Sequence, residues 1–598
     1  MIPPKLTKWR NLERTEGLLI FAQSLCELLF DYTLDSYKAP ALNLHTNVIE
    51  LYILVSQYVD GILKKGSLSF SINELEFNIK NNYIYNNDDR IKLSQYIDKI
   101  KENIENKDSI LHIVNALQAE ISSTYWINLK SKISSCVHNP NEKKLITKLA
   151  SIFAAELQNI GFTRQYAFAK TKKFFFSSKI APQVISDCNV IEQFLSIFEN
   201  TTQQYNIIFR GKFTGQEFFE ELIDLAKKLN TEITTSDPEP VSAAQKFIKF
   251  KERTSEYNLY FVVSKISAKD IHKAREIAES YLEFIVDVCR FHSHRTYLSF
   301  HEDCLGFEDG KANYIIIPKP VKPMECGVLF RQAESKEQIK TTIDILSGVH
   351  IEIHDLDSFG KVLDFHHSAM ANSDHANQLI NLWTALESFL PIPDKNKDRI
   401  VSYMGYVLPP LTLTYNKKIL SNLLTDIESY DAANRILINV QDGDDNLEKL
   451  AFLISSEEYS HLRDELFSSL SLHPLLRFRC FSVSQIFKST SDILRTNVKH
   501  KTKVGYQLQR IYTLRNQIVH KANTFPYIKT LVENLHDYLD TLILSVGHIA
   551  KKSSVQIDIA TALEILSTRE SYYNKILEKN VPITHENCLK FALLYGVY

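Results

Sequence analysis

Arg515 and His520 have the side-chain types and the spacing for acid–base chemistry on a phosphate ester. Histidine titrates near neutral pH, so it can serve as a general acid or a general base. Arginine stays charged and presents a planar fork that fits phosphate oxygens. Asn516 follows the arginine directly and can position either the phosphate or the His520 ring. Together these residues carry the groups that are needed to cleave RNA without a metal ion.

The residues around this pair predict an amphipathic helix. Its apolar side chains fall on one stripe that packs into a core, at Leu508, Ile511, Leu514, Ile518 and Ala522. Asn516 and His520 are four positions apart, so they are surface neighbours that point away from the stripe. Arg515 lies near the edge of the stripe, where its stem covers apolar surface while its head reaches a polar site. The His520 face is therefore predicted to contact solvent or a second chain.

The same spacing occurs elsewhere in the chain. Arg495 and His500 repeat it in a basic run with few apolar residues, which indicates a helix end. Arg295 and His301 match it with one more intervening residue, in a stretch whose alternation favours a strand. Only the helix around Arg515 has an uninterrupted apolar stripe.

The Arg515-Asn516 and His520 pattern resembles the signature of the HEPN superfamily of helical ribonucleases. That signature is an arginine, four to six residues, and a histidine, often with a polar residue after the arginine. A second stretch, Leu379–Leu390, resembles the opening helix of the ApeA-like branch through its Trp-x-Ala-Leu-Glu core, which starts at Trp383. The resemblance covers the C-terminal part of the chain, about residues 355–555.

The resemblance implies a helical bundle whose motif helices meet across a homodimer, or a higher even oligomer, and form one composite site. It implies that Arg515, Asn516 and His520 are catalytic and that RNA is cut without metal or cofactor. The expected products carry a 2′,3′-cyclic phosphate and a 5′-hydroxyl. Glu387 either pairs with Arg515 and orients it or forms a purely structural ion pair.

The ApeA-like resemblance also implies a biological role. It points to a bacterial anti-phage effector of the abortive-infection type, a dormant toxin that a phage-derived trigger releases. The N-terminal regions would then sense the trigger or restrain the nuclease. Two other possibilities remain: a non-catalytic HEPN protein that binds a nucleotide or a partner, and a helical scaffold in which the motif is accidental.

A local excess of positive charge accompanies the motif. Between Arg477 and Lys521 the sequence has ten basic residues and one acidic residue, Asp492, although the formal net charge of the chain is −2. This asymmetry favours a polyanion near the Arg515 helix. The predicted RNA-binding residues are Arg495, Lys499, Lys501, Lys503, Arg510 and Lys521.

Composition sets the broad class. With 598 residues, 44% hydrophobic and 23% charged, the chain is an ordinary globular protein of several domains. Its eight cysteines form no Cys-x-x-Cys pair, which suits free thiols in a reducing cytoplasm. The longest apolar run, Gly17–Phe30, is too short to span a bilayer. We expect a cytoplasmic protein without a membrane segment.

The patterning predicts a mainly α protein in four parts. These are a helical N-terminal region (1–200), a small α+β middle region that senses or regulates (201–350), a HEPN-like helical bundle (351–553) and a C-terminal helical appendage (554–598). Strands are predicted at Tyr205–Phe213, Tyr257–Val263 and Asn313–Ile317. Pro409-Pro410 predicts a helix break.

One stretch has the residue types of a metal site. It places five potential ligands within sixteen positions, namely Cys289, His292, His294, His301 and Cys304. Structural zinc sites usually show tighter, repeated spacing. The alternative is a helix end that leads into a strand, and we predict no metal site.

Overall fold

The computed structural model describes most of the chain. The described residues are 5–33, 38–63, 65–199, 201–214, 219–239, 241–292, 298–322, 324, 339–340, 343, 353–394, 398–521, 525–594 and 596. Within the described helices, the side chains of 67, 292, 353–356, 520 and 521 are not described. The fold is mainly α, 67% helical, with a small antiparallel sheet of five strands in the middle, which confirms the predicted fold class.

Helices form the described N-terminal part of the chain, apart from its connecting segments and one β-bridge between Trp9 and Ile185. The helices are α1 (Leu12–Leu28), α2 (Leu44–Val59), α3 (Lys65–Lys80), α4 (Asn87–Glu102), α5 (Lys107–Ser122), α6 (Tyr125–Cys136), α7 (Lys143–Asn159), α8 (Arg164–Phe176) and α9 (Val190–Leu195). Asparagine side chains cap three of them: Asn43, Asn86 and Asn106 each accept a hydrogen bond from a first-turn N–H. Their apolar faces form one hydrophobic core.

The middle region is a sheet with helices on both faces. Its elements are β1 (Gln203–Phe213), α10 (Phe219–Lys228), β2 (Thr231–Thr234), α11 (Gln245–Arg253), β3 (Leu259–Ala268), α12 (Ile271–His292), β4 (Leu298–Glu308) and β5 (Ile315–Ile317). The strand order is β2-β3-β1-β4-β5, and all pairs are antiparallel. Helices α10 and α12 pack on one face and α11 on the other. The predicted strands are present; β2 was not predicted.

The C-terminal part is a large helical bundle. Its helices are α13 (Ile353–Ala371), α14 (His375–Phe389), α15 (Arg399–Glu428), α16 (Asp431–Ile438), α17 (Asn446–Ser455), α18 (Ser460–Ser469), α19 (Pro474–Ile486), α20 (Thr490–Lys521), α21 (Ile528–Lys552), α22 (Ile559–Leu577) and α23 (Cys588–Ala592). The segment that was predicted as an appendage contributes Leu563, Leu566 and Leu577 to the same core as α14 and α20. No helix among the described residues is both long and apolar enough to cross a membrane.

Two sequence predictions about helix ends in this bundle are wrong. Pro409 and Pro410 lie inside α15, which continues through them. A proline inside a helix costs about 3 kcal/mol, and here buried neighbours such as Val407 and Leu413 hold the helix in place. Arg495 and His500 lie inside α20, which begins at Thr490 and continues past them to Lys521.

Candidate active site

Two helices of the C-terminal bundle bring the motif residues together. Arg515 lies on α20, and Glu387 lies on α14, which Asp374 caps by accepting a hydrogen bond from the Asn377 N–H. The Trp383 side chain is fully buried between them. Its ring centroid lies 5.6 Å from that of Tyr512 on α20. Packing of this aromatic pair fixes the distance between the two helices and therefore between the polar residues they carry.

Arg515 is held by hydrogen bonds at both ends of its guanidinium group. Its Nη2 donates to Glu387 Oε2 at 3.2 Å, and its Nη1 donates to Asn516 Oδ1 at 3.0 Å. The exposed fraction is 27% for the Arg515 side chain and 17% for Glu387. The ion pair predicted between these residues is therefore present. Its partial exposure leaves one side of the guanidinium accessible to a bound anion.

Three buried polar atoms at this site have no hydrogen-bond partner among the described residues. They are Trp383 Nε1, Glu387 Oε1 and Arg515 Nε. Most buried polar atoms in folded proteins are paired, so a cluster of unpaired ones needs an explanation. Two of these atoms are donors and one is an acceptor, and all three are shielded from solvent in the single chain.

The pKa of Tyr403 is raised above its ordinary value next to this cluster. Burial is the main cause, and the Glu387 carboxylate adds to it. The Tyr403 ring lies 6.2 Å from that of Trp383. Tyr403 is therefore a neutral hydroxyl at physiological pH. The sequence offered no signal for this residue, because α15 joins the site only through tertiary packing.

His520 lies in the last turn of α20, and its side chain is outside the described residues, as is that of Lys521. Its backbone position is four residues after Asn516, so the two positions are on the same side of the helix. Val519 is 55% exposed beside them. Of the predicted apolar stripe, Leu508, Ile511 and Leu514 are buried and Ile518 is partly buried, whereas Ala522 lies outside the described residues. This side of α20 is thus open around Val519.

The other predicted RNA-binding residues do not form one surface. Arg495, Lys499 and Lys503 are exposed on α20. Lys501 forms an ion pair with Glu570 at 2.7 Å. The twenty residues that separate Arg495 from Arg515 correspond to about 30 Å along a helix. The exposed cations therefore lie well away from the motif.

Arg510 is not available to RNA, which corrects the sequence prediction. Its side chain is buried, where Nε donates to Glu50 at 2.9 Å and Nη2 donates to Glu74. Tyr527 also donates to Glu50, at 2.8 Å. A guanidinium with two carboxylate partners in the interior is a structural group. Sequence could not reveal this, because both partners are on the distant helices α2 and α3.

The N-terminal region therefore contacts the helix that carries the motif. Besides the Arg510 ion pairs, Gln517 Nε2 donates to Gln57 Oε1 at 2.7 Å, in a buried contact between α20 and α2. Gln517 is two residues from Arg515. We call the contacts of Glu50, Gln57 and Glu74 with α20 the N-terminal clamp.

One group among the described residues has the geometry to hold a metal ion, although the sequence predicted none. It consists of His366 on α13 with His536 and Asp540 on α21, whose ligand atoms lie within 4.8 Å of one another. Burial lowers the pKa of His366, which favours the neutral, ligating form. The cysteine and histidine series between Cys289 and Cys304 does not form such a group among the described residues. The side chain of His292 and all of His294 lie outside the described residues. The cysteines that the structure describes are free thiols.

Comparisons of the chain with protein-family models, with curated proteins and with solved structures find no match. The functional interpretation therefore stands on the motif and on the geometry around Arg515.

Proposed function

We propose that the protein is a metal-independent endoribonuclease of the HEPN type. The observation that carries the proposal is the contact between Arg515 and Glu387. The two stretches that resemble the family, on α14 and α20, lie far apart in sequence, and this ion pair joins them at 3.2 Å. An accidental match on a helical scaffold gives no reason for the two stretches to meet through their polar residues.

The chemistry follows from the properties of the three motif residues. His520 removes the proton from the ribose 2′-hydroxyl or donates one to the leaving 5′-oxygen. Arg515 stabilises the charge that develops on the phosphorane, because its guanidinium stays protonated and is already oriented by Glu387. The Asn516 carbonyl oxygen accepts from Arg515, which leaves its amide N–H groups to donate to the phosphate.

A shared site explains how so few groups carry out two proton transfers. Two copies of α20 that meet through the side bearing Asn516, Val519 and His520 supply two histidines, one as base and one as acid. Such an isologous contact uses the same surface on both chains. The exposure of Val519 supports a contact at this surface.

The biological part of the proposal is an anti-phage effector in the bacterial cytoplasm that halts growth by cleaving RNA. The N-terminal clamp supports a restraining role for the first part of the chain, because it binds the motif helix on both sides of Leu514. A phage-derived trigger that loosens the clamp would release the nuclease.

A non-catalytic HEPN protein is the second candidate, and one observation favours it. Glu387 neutralises part of the charge of Arg515. A partly neutralised arginine stabilises a phosphorane less well, which favours a site that binds a nucleotide or a partner without cleaving it. The two candidates differ in their products. Purified chain should convert a labelled RNA in EDTA to fragments with 2′,3′-cyclic phosphate ends. Intact RNA with both the wild-type chain and Gln57→Ala, which loosens the clamp, would favour the second candidate, and 3′-hydroxyl ends would contradict the proposed mechanism.

A further inference from the structure

A groove lies between the N-terminal region and the C-terminal bundle, far from Arg515. It is formed by α7 on one side and by α18, α19 and α20 on the other, and its volume is about 1020 Å³. Six cationic side chains line it: Lys143, Lys144, Lys148, Arg477, Arg495 and Lys499. Asp492 is the one acidic residue among the described residues that line it. We call this surface the basic groove.

Carboxylates neutralise only part of the charge. Asp492 pairs with Arg495 at 2.5 Å, and Glu16 accepts from both Lys143 and Arg477. Lys144 and Lys499 are exposed and have no carboxylate within ion-pair distance among the described residues. An excess of positive charge therefore remains between α7 and α20.

Neighbouring residues respond to this excess. The pKa of Tyr83 is lowered because Lys148 donates a hydrogen bond to its hydroxyl and because Lys144 and Lys499 add positive potential. The pKa of Lys503 is lowered by desolvation and by repulsion from Lys148 and Lys499. Like charges crowded in this way favour a bound anion.

The groove also offers aromatic surface. Phe467, Phe478 and Phe481 are among its lining residues. Phe481 is 49% exposed, although large apolar side chains are usually covered. Its ring centroid lies 6.4 Å from that of Phe467. Proteins that bind single-stranded nucleic acid combine cationic side chains, which contact the phosphates, with exposed aromatic rings, on which the unpaired bases stack. The bases of a duplex are stacked on one another and cannot stack on Phe481. A simple inorganic anion has no base and would not need the exposed rings.

We propose that the basic groove binds single-stranded nucleic acid, with phosphates at Lys144 and Lys499 and a base stacked on Phe481. The groove lies about 30 Å from Arg515 along α20, so this binding is separate from the chemistry at the motif. The inference holds whether or not the protein cleaves RNA.

Fluorescence anisotropy with two uncleavable 12-mers tests the proposal on the intact chain. One is oligo(dT), and the other is 2′-O-methyl oligo(U). Both lack the free 2′-hydroxyl that the proposed cleavage requires, so no inactivating substitution is needed. Equal affinity for the two oligomers means that the groove contacts phosphates and bases and does not discriminate between the sugars. A preference for the uridine oligomer means that it also reads the ribose.

Two variants separate phosphate contacts from stacking. Lys144→Ala/Lys499→Ala should weaken binding at least ten-fold and make the slope of log Kobs against log salt shallower by about 1.4, since each phosphate contact in single strands contributes about 0.7. Phe481→Ala should weaken binding roughly ten-fold with an unchanged slope, because stacking releases no counterions.

Controls with the same chemical change come from elsewhere on the surface. Lys92→Ala/Lys101→Ala removes two exposed lysines of α4, and Phe284→Ala removes a ring of α12 that is 53% exposed. Neither should change the affinity. Equal losses in the controls, tighter binding of a duplex than of the 12-mers, or no binding at low salt would each overturn the proposal.

Discussion

The Arg515 guanidinium donates to the Glu387 carboxylate at 3.2 Å, across the interface of α14 and α20. The pair is partly exposed, so its contribution to stability is modest, about 1 kcal/mol or less. Orientation is then the more important consequence: the carboxylate fixes the direction in which the guanidinium presents its remaining donors.

Glu387→Gln should separate positioning from stability. The amide keeps the size of the side chain but loses its charge, so Arg515 is held less firmly. We expect kcat for RNA cleavage to fall on the order of 10²-fold, with little change in KM or in the melting temperature. Glu457→Gln, which removes the charge of an exposed partner of Arg463, is the matched control. A Glu387→Gln protein that cleaves normally would make the ion pair purely structural.

The side of α20 near Val519 should mediate dimerisation. Val519→Asp places a charge on the proposed contact, so sedimentation velocity should show monomers, and cleavage should be lost. Val184→Asp is the control, because Val184 lies outside both proposed surfaces and is similarly exposed, 52% against 55% for Val519. A Val519→Asp protein that stays dimeric, or an active form that is monomeric on RNA, would contradict the shared site.

The N-terminal clamp should restrain the nuclease. Gln57→Ala removes the acceptor of the buried Gln517 amide, which costs about 1–3 kcal/mol at this contact. We expect higher basal RNA cleavage and growth inhibition without infection. Asn78→Ala is the control, because it removes a hydrogen bond to Asn47 within the N-terminal region and Asn78 makes no side-chain hydrogen bond to α20 among the described residues. Unchanged or lower activity in Gln57→Ala would mean that the clamp supports the fold rather than restraining the enzyme.

His500 should make the protein sensitive to acid. Burial and the nearby Lys418 and Lys503 lower its pKa to about 3, from an ordinary value of 6.5. The unfolded chain therefore takes up a proton below pH 6.5 that the folded chain does not, so stability is full above pH 6.5 and falls as the pH drops toward 3.

His500→Phe keeps the ring that stacks on Tyr415 at 3.6 Å and removes the titrating group. Between pH 6.5 and 5.5 the variant should lose about 1 kcal/mol less of its free energy of unfolding than the wild type. Chemical denaturation at both pH values measures the difference. Equal losses would mean that His500 does not control the acid response.

The sequence predicted the elements whose pattern is local. A high content of β-branched and aromatic residues indicated β1 and β3, and the spacing of Leu508, Ile511 and Leu514 indicated the buried side of α20. The pairing of Glu387 with Arg515 was also foreseen, with its role left open between orienting Arg515 and a purely structural ion pair. These features depend on neighbours along the chain or on a motif that joins two helices.

Features that depend on tertiary packing were not predictable. Arg510 was assigned to RNA because its carboxylate partners, Glu50 and Glu74, are more than four hundred positions away. Pro409 was expected to end a helix that buried neighbours instead preserve. Only one side of the basic groove was predictable. Arg495 and Lys499 on α20 belong to the basic segment of the sequence, whereas Lys144 and Lys148 on α7 join them only in the folded chain.

Cleavage of RNA by the His520→Ala protein in EDTA is the most direct measurement of the central claim. His461→Ala, which removes an exposed histidine of α18, is the matched control. The proposed mechanism predicts that His520→Ala lowers the cleavage rate by a factor on the order of 10²–10⁴, with an unchanged melting temperature, while His461→Ala cleaves like the wild type. A His520→Ala protein that cleaves at the wild-type rate would contradict the assignment of the active site.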